Sequence, residues 1–237
     1  MLNEIRAQLR KAADAAVARN SQRFFKSGPG EYGEGDRFLG IRVPQLRKLV
    51  GEFPEATLST VSELLESPWH EERLFALFLL IAKYERSGTE TRARLARLYL
   101  GKRQFINNWD LVDSSAHLIL GPHLQNGDRR LLDRFARSHN LWERRIAMLT
   151  TLCFIRQNDY ADALRIAALL VDDREDLIHK AVGWMLREIG NRDPAAARAF
   201  LDKHAGHMPR TMLRYAIEKF PSDERDRYLA IGSRRTT

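Results

Sequence analysis

The chain has 237 residues, of which 44% are hydrophobic, enough for one substantial core or a small array of repeated units. Its 39 basic and 31 acidic residues give a formal net charge of +8, which favours a polyanionic partner, nucleic acid before a membrane surface. Ordinary glycine and proline contents exclude a collagen-like repeat and wholesale disorder. On charge alone, a basic protein with an ordinary solvated surface remains the alternative.

Residues 1–20 are predicted to form an N-terminal helix. This segment contains Glu4 and Asp14 and lacks the apolar region of a secretory signal, so it is typical of neither a signal peptide nor a transit peptide. No apolar run approaches the length of a membrane span. We therefore expect a cytoplasmic, nucleoid-associated protein.

Residues 26–36, KSGPGEYGEGD, are rich in glycine. No strand precedes them and no GK[ST] follows, so they do not form the phosphate loop of nucleotide-binding proteins. We predict a mobile loop, one that orders on DNA. We expect a single domain over residues 1–237, with a disordered basic tail at 230–237.

Helical periodicity dominates the rest of the chain, with short Gly-, Pro- and Asn-containing breaks, and the fold class predicted is all-α. Apolar helical segments recur at offsets of 35, 37, 35 and 30 residues. Each follows a shorter or more polar helical segment. Paired helices at this period indicate an α-solenoid superhelix of HEAT-like repeats, in which each pair buries its apolar face by stacking on the next.

The repeat spacing places basic residues at one position of four segments. In a solenoid, equivalent positions line up along one face, and a row of cations on a concave basic face suits a DNA backbone. Solvated residues at helix N-termini are the alternative, although cations there are mildly unfavourable with the helix dipole. The predicted DNA-binding cations are Arg73, Arg145, Lys180 and Arg210.

The second repeat departs from this row at NNWDLVDSSAHLIL, residues 107–120, where Asn108 takes the aligned position. With Asn108 as the cap, Asp110 lies in the first turn, where a carboxylate complements the dipole. Asp113 lies beyond that turn and four residues after Trp109, hence on the same helical face. A carboxylate in a cationic groove stays ionised and can stabilise a developing positive charge.

Trp142 and Trp184 accompany the cation row, and aromatics interleaved with cations suit stacking on bases or sugars. For any single tryptophan, a core position is the more common explanation, and Trp69 is interpreted as core or helix entry. Cys153 lies in an apolar run and is interpreted as a small core residue rather than a nucleophile.

Other candidate sites are weaker. Ser114, His117 and Asp113 cannot converge as a catalytic triad on one straight helix. The scattered histidines, including His204 and His207, have no partner set resembling a zinc site.

Three motifs in order, NNWDLVD (107–113), WERRIAML (142–149) and KAVGWMLREIG (180–190), resemble the AlkD family of bacterial DNA alkylation repair glycosylases. The segment FLGIRVPQLRKL, residues 38–49, is similar to the first repeat of that family. The resemblance covers roughly residues 20–220. It implies a superhelix of HEAT-like repeats with a concave DNA-binding face.

The resemblance also implies an activity and a set of site residues. Family members excise cationic N-alkylpurines, chiefly those alkylated at N7 of guanine or N3 of adenine. Asp113 matches the family's catalytic acid, Trp109 and Trp184 match its active-site tryptophans, and Arg145 matches a DNA-binding arginine. An aromatic residue of the N-terminal repeat also contributes, and here Phe24, Phe25 and Tyr32 are the alternatives.

We therefore expect a DNA glycosylase of base excision repair that acts on double-stranded DNA containing alkylated purines. Asp113, Trp109 and Trp184 are the predicted catalytic residues. Arg145, Lys180, Arg73, Arg210 and Trp142 are the predicted DNA contacts. We expect a monomer with no metal, organic cofactor or membrane partner. The alternative is a non-catalytic HEAT-repeat module that binds DNA or serves as a protein scaffold.

Overall fold

The computed structural model describes residues 1–233, and regular structure in that range is helical apart from one isolated bridge. The all-α prediction is confirmed. The first helices along the chain are α1 (Leu2–Lys11), α2 (Ala15–Phe24), α3 (Val43–Val50), α4 (Leu58–Leu65), α5 (His70–Arg86), α6 (Thr89–Gly101) and, after a 3-10 turn at Arg103–Phe105, α7 (Trp109–Leu124). The helix predicted over residues 1–20 is thus two helices, separated at Ala12–Asp14.

The later helices are α8 (Arg130–Ala136), α9 (Leu141–Thr150), α10 (Leu152–Ile155), α11 (Ala161–Leu170), α12 (Asp176–Gly190), α13 (Pro194–His204), α14 (Arg210–Ala216) and α15 (Ser222–Ser233). Residues 230–233 belong to α15, so the disorder predicted for them is not observed. The remainder of the predicted tail, 234–237, lies outside the described residues.

In the part of the chain that the structure describes, no helix is long and apolar enough to cross a membrane.

The chain divides into two compact units, residues 1–115 and residues from 116 onward, with α7 running through the boundary. In each unit helices pack in sequential pairs, as the repeat spacing predicts. Helix α4 packs on α5 in the first unit, and α8 packs on α9 and α11 on α12 in the second. The prediction of a single domain stays a prediction.

In the first unit, α5 is buried around most of its circumference, and its first four residues are ionisable. These residues, His70, Glu71, Glu72 and Arg73, are each no more than 4% exposed. We call them the α5 cluster. A buried ionisable side chain is costly unless it is paired, and each member of the cluster is paired with one or more other segments of the unit.

Glu72 pairs with two arginines of α1. Its carboxylate accepts a hydrogen bond from Nε of Arg6 at 3.1 Å and lies 3.7 Å from Nη2 of Arg10, which attaches α1 to α5. The Arg10 guanidinium also lies 4.5 Å from the centre of the Trp69 ring. Trp69 therefore covers the entry to α5, as the sequence predicted.

Glu71 holds the FLGI segment, residues 38–41. Its carboxylate accepts backbone N–H bonds from Leu39 at 2.8 Å, Gly40 at 2.7 Å and Ile41 at 3.3 Å. Gly40 has a φ of +81°, and an added Cβ would lie 2.0 Å from the carbonyl oxygen of Asp14. Only glycine allows the segment to turn here against the start of α2.

In the second unit, α12 packs against α9, α11, α13 and α14. Its contact with α14 depends on Gly183. A Cβ added at Gly183 would lie 2.5 Å from the carbonyl oxygen of Met212 and 2.5 Å from Cβ of Tyr215. Because one of these atoms belongs to the backbone, a side-chain rotation cannot relieve both clashes.

We expect Gly183→Ala to lower the free energy of unfolding by roughly 1–3 kcal/mol, the usual cost of overpacking a core. The matched control is Gly101→Ala at the end of α6, where an added Cβ meets nothing within 4 Å. Urea titration followed by circular dichroism measures both. Equal stability of the two variants would contradict the close contact between α12 and α14.

Candidate active site

The site is built on the first turns of α7. The Asn108 carboxamide oxygen accepts a hydrogen bond from the Trp109 N–H at 2.8 Å, and the Asn108 carbonyl accepts one from Val112 N–H at 3.2 Å. Asn108 therefore stands at the helix start, as predicted. Val112 is fully buried, which leaves Trp109 and Asp113 half-buried on another face of the helix.

Asp113 lies near the buried phenol of Tyr99. The Tyr99 hydroxyl and the Ser115 hydroxyl are 3.0 Å apart, and Ser115 donates to the Leu111 carbonyl at 2.5 Å. Burial raises the pKa of Tyr99, and the negative charge of Asp113 raises it further. Tyr99 therefore remains a neutral phenol next to the Asp113 carboxylate.

Two phenylalanine rings contact Trp109, and a third ring extends the stack. The Phe25 ring stacks on Trp109 with a centroid separation of 5.5 Å and on Phe38 with a separation of 5.4 Å. The Phe24 ring meets Trp109 edge-on at 5.6 Å and is 64% exposed. These contacts fix the plane of the indole and leave Phe24 as a solvent-accessible aromatic beside it.

The three aromatic alternatives for the N-terminal repeat thus occupy different positions. Phe25 is half-buried inside the stack, and Phe24 is at its exposed edge. Tyr32 lies in the glycine-rich segment with the ammonium of Lys26 6.0 Å from its ring centre. Phe24 is consequently the residue that can meet a ligand while it contacts Trp109.

The glycine-rich segment 26–36 is a loop, as predicted, and it is closed by its own backbone. Gly33 N–H donates to the Lys26 carbonyl at 3.0 Å, and Asp36 N–H donates to Gly33 at 3.1 Å. A Cβ at Gly33 would lie 2.5 Å from the Phe25 carbonyl oxygen. The loop is thereby held against the aromatic stack. Its mobility and its ordering on DNA stay predictions.

Beneath this stack lies His70, the first residue of α5. Its Nδ1 is 3.2 Å from Oδ2 of Asp36, and its Nε2 is 2.8 Å from Oδ2 of Asp110. Burial lowers the pKa of His70, but the carboxylates of Asp110 and Asp36 outweigh burial and raise the pKa to about 9. For Asp36, a carboxyl group, burial raises the pKa, but the hydrogen bonds and positive charges of His70 and Arg73 hold that pKa below its usual value.

Arg73, a predicted DNA contact, is buried in this conformation, with 4% of the residue exposed, and its role in DNA binding stays a prediction. Its guanidinium donates to Asp36 at 2.6 Å and to the Ser67 carbonyl at 2.9 Å. Arg73 therefore binds the end of the glycine-rich loop from inside the unit. The repeat position that Arg73 occupies therefore faces the interior of the first unit.

Two predicted DNA contacts in the second unit are also buried. Trp142, in the first turn of α9, is 9% exposed and packs in the core, and the expectation that it stacks on DNA stays a prediction. Arg145 is 4% exposed and donates to the Leu177 carbonyl, which joins α9 to α12. Contact of Arg145 with a phosphate requires that this bond be given up.

The other predicted residues of the second unit are accessible. Lys180 is half-exposed and pairs with Asp176 at 2.8 Å. Arg210 is exposed and donates to the Leu229 carbonyl at 2.8 Å. Trp184 is half-buried, and its indole N–H donates to Glu188 at 3.3 Å. Their roles in binding or catalysis stay predictions.

Cys153 is half-buried, and burial raises the pKa of its thiol. A thiol held in its protonated form is a poor nucleophile, in agreement with the structural interpretation of Cys153. Within residues 1–233, no three His, Cys, Asp or Glu side chains are grouped as ligands for a metal ion.

His70 and Asp36 were not found from the sequence. One signal was available: the four ionisable residues HEER open a helix and are followed directly by the apolar run 74–82. A helix buried all round cannot leave such residues in solvent. The sequence does not show which distant carboxylates complete the pairs.

A model of the family described as DNA alkylation repair enzyme matches residues 5–220 of the chain. Among solved structures, a protein described as a predicted DNA alkylation repair enzyme from Enterococcus faecalis is 16% identical, with a TM-score of 0.69 over 89% of this chain and 97% of that one. AlkD2 from Streptococcus mutans is 18% identical, with a TM-score of 0.47 over 99% of each chain. The first likeness shows a shared fold. Among curated proteins, none matches the sequence significantly.

Proposed function

Because the chain belongs to the DNA alkylation repair enzyme family, we propose that it is a DNA glycosylase that hydrolyses the N-glycosidic bond of positively charged N-alkylpurines. The proposed substrates are N7-alkylguanine and N3-alkyladenine in double-stranded DNA, and the pathway is base excision repair. One observation carries the proposal: the half-buried carboxylate of Asp113 lies one helical turn from Trp109, which the exposed Phe24 ring contacts edge-on.

The chemistry needs little acid catalysis. An alkyl group at N7 or N3 leaves the purine with a formal positive charge, so the C1′–N9 bond breaks with its electron pair leaving on the base. The base departs neutral, and the sugar becomes an oxocarbenium ion, as in other glycoside cleavages. Water then attacks C1′ and loses a proton, which leaves an abasic site.

In this scheme Asp113 is the catalytic carboxylate. Its negative charge stabilises the developing oxocarbenium ion, orients the water and accepts the proton that water loses. The faces of Trp109 and Phe24 are electron-rich and favour a cationic purine over a neutral one. Selection by charge explains how an exposed aromatic surface can suffice without an enclosed base pocket.

The proposal predicts that Phe24→Ala lowers excision of N7-methylguanine by about tenfold, in the range of one cation–π contact removed from water. Phe24→Tyr, which keeps the aromatic face, is expected to retain most of the parental rate. Leu169→Ala, which removes another exposed apolar side chain, is the control. Single-turnover base release measures all three, and an unchanged rate in Phe24→Ala would remove Phe24 from the site.

DNA contact is proposed through accessible cations. Arg23 and Lys26 flank Phe24 and are exposed, and Lys180 and Arg210 offer accessible charge in the second unit. Such contacts neutralise phosphates and make affinity fall with salt. The family resemblance assigns Trp184 to catalysis and Arg145 to DNA, and both assignments remain part of the proposal.

Release of free alkylpurine from methylated duplex DNA tests the proposed function. A glycosylase liberates the base, whereas a non-catalytic helical-repeat module binds the same duplex and releases nothing. A pure DNA binder gains nothing from Asp113, because a carboxylate repels phosphates.

A further inference from the structure

His70 faces a carboxylate at each of its ring nitrogens. Nδ1 lies 3.2 Å from Asp36 and Nε2 lies 2.8 Å from Asp110, and the side chain is 2% exposed. A neutral imidazole has one N–H and one lone pair, so it satisfies only one of these carboxylates and points its lone pair at the other. Only the imidazolium donates to both.

The His70 ring is also in contact with the aromatic stack. Its centre is 4.7 Å from the Phe25 ring centre and 5.0 Å from that of Phe38, with tilted to stacked geometry. Phe25 in turn stacks on Trp109. A cation under these rings favours the same arrangement that holds the Trp109 indole in place.

We propose that the imidazolium of His70 is a positioning residue for base release: by bridging Asp36 to Asp110, it fixes the glycine-rich loop and the first turn of α7, and hence Trp109 and Asp113. This inference rests on the proposed function of the site. His70 does not touch the reacting atoms, because Phe25 and Asp110 stand between it and the exposed edge of the site.

The charges that face His70 come from three segments. Asp36 lies at the end of the loop, Asp110 on α7, and Arg73 on α5, where it binds the other oxygen of Asp36 at 2.6 Å. Glu71 and Glu72, next to His70 on α5, are bound to the FLGI segment and to α1. The two carboxylates outweigh Arg73, and the pKa of His70 is raised to about 9.

The sign of the pH dependence follows. A raised pKa means that the contribution of the bridge to stability is fully present below the unfolded value near 6.5 and is lost as pH rises through about 9, where the folded protein loses the proton. At neutral pH His70 is therefore charged. On the alkaline side of neutral pH, the bridge weakens as His70 loses its proton.

The first arm of the test reads the protonation state directly. In protein labelled with 15N-histidine, the His70 ring signals are assigned in the parent protein by through-space contacts of the imidazole with the Phe25 and Phe38 rings. We expect both ring nitrogens of His70 to be protonated at pH 7.5 and to titrate near pH 9. A ring that is neutral at pH 7.5 would overturn the proposal, even if no variant of His70 folds.

The second arm measures function. Glutamine has both of its N–H donors on one nitrogen, so it cannot donate to carboxylates on opposite sides of the side chain. We expect His70→Gln to release N7-methylguanine about tenfold more slowly than the parent at pH 7 under single-turnover conditions, with unchanged affinity for the duplex. The ratio of the two rates should approach one as pH rises through about 9. Any change in the ionisation of the substrate with pH alters the rates of both proteins equally, so it cancels in this ratio.

His207→Gln, at an exposed histidine of the α13–α14 connection, is the control and should match the parent at every pH. A ratio of one at all pH values, or a loss that does not change with pH, would contradict the positioning role. If His70→Gln does not fold, Asp110→Asn removes the other bridged charge, at a carboxylate that does not bind Arg73, and should likewise give a loss that diminishes as pH rises through about 9. Absence of base release by the parent would instead refute the proposed function, so the two failures are distinguishable.

Discussion

Asp113→Asn is expected to lower the single-turnover rate of N7-methylguanine release by about 100- to 1000-fold, the usual effect of removing one preorganised group that stabilises a charged transition state. Asparagine has nearly the same shape but no charge to place near the oxocarbenium ion and no basic oxygen to accept the proton from water. Affinity for the methylated duplex should not fall, because a neutral side chain repels phosphates less than a carboxylate does.

Asp226→Asn is the matched control, since Asp226 is an exposed carboxylate on α15. It should leave both base release and affinity at the parental values. Thermal unfolding checks that Asp113→Asn folds, as expected for a half-buried, isosteric replacement. Release by a folded Asp113→Asn at the parental rate would show that Asp113 is not the catalytic carboxylate.

The largest expected effect on stability is at Glu71. Its buried carboxylate accepts three backbone N–H groups of the FLGI segment. In Glu71→Gln an NH2 group replaces one of the two oxygens, so at least one backbone N–H loses its acceptor inside the unit and the others face a neutral oxygen. We expect a loss of about 3 kcal/mol in the free energy of unfolding, the scale for breaking a buried charged group's hydrogen bonds.

Glu63→Gln provides the comparison, because Glu63 is an exposed glutamate on α4 whose carboxylate accepts only a surface bond from Ser59. Its unfolding free energy should change by less than about 0.5 kcal/mol. Both are measured by urea titration with circular dichroism. Equal stability of the two variants would mean that the three backbone bonds to Glu71 are not important for the fold.

The helical repeat was predictable because it depends on local periodicity. Buried Val112, Ala116 and Ile119 lie on one side of α7 at the spacing that the sequence shows, and Asp113 falls outside that face. The position of Asp113 one turn after Trp109 follows from helix geometry alone. This part of the candidate site could therefore be derived without any tertiary information.

The orientation of the cation row could not be derived from the sequence, because periodicity does not tell which way an aligned position faces. Arg73 and Arg145 occupy equivalent positions, but each is directed at a carbonyl oxygen in its own unit, that of Ser67 and that of Leu177. Arginine is well suited to such sites because its five N–H donors can bond several acceptors at once. A basic residue in a repeat can therefore serve packing rather than a ligand.

Asp110 illustrates a further limit. Its place in the first turn of α7 suffices to explain a carboxylate there, so nothing in the local sequence points to a distant partner. The structure provides one in His70, 40 residues earlier in the chain. Pairs between segments this distant depend on the fold, and a single sequence does not reveal them.

The most direct test of the central claim is the identity of the product. Purified protein is incubated with duplex DNA containing one N7-methylguanine, and the supernatant and the DNA are analysed separately by mass spectrometry. The proposed function predicts free N7-methylguanine in the supernatant and an abasic site in the DNA, both above the rate of spontaneous loss. Stable binding of the duplex with the methylated base still attached to its sugar would contradict it.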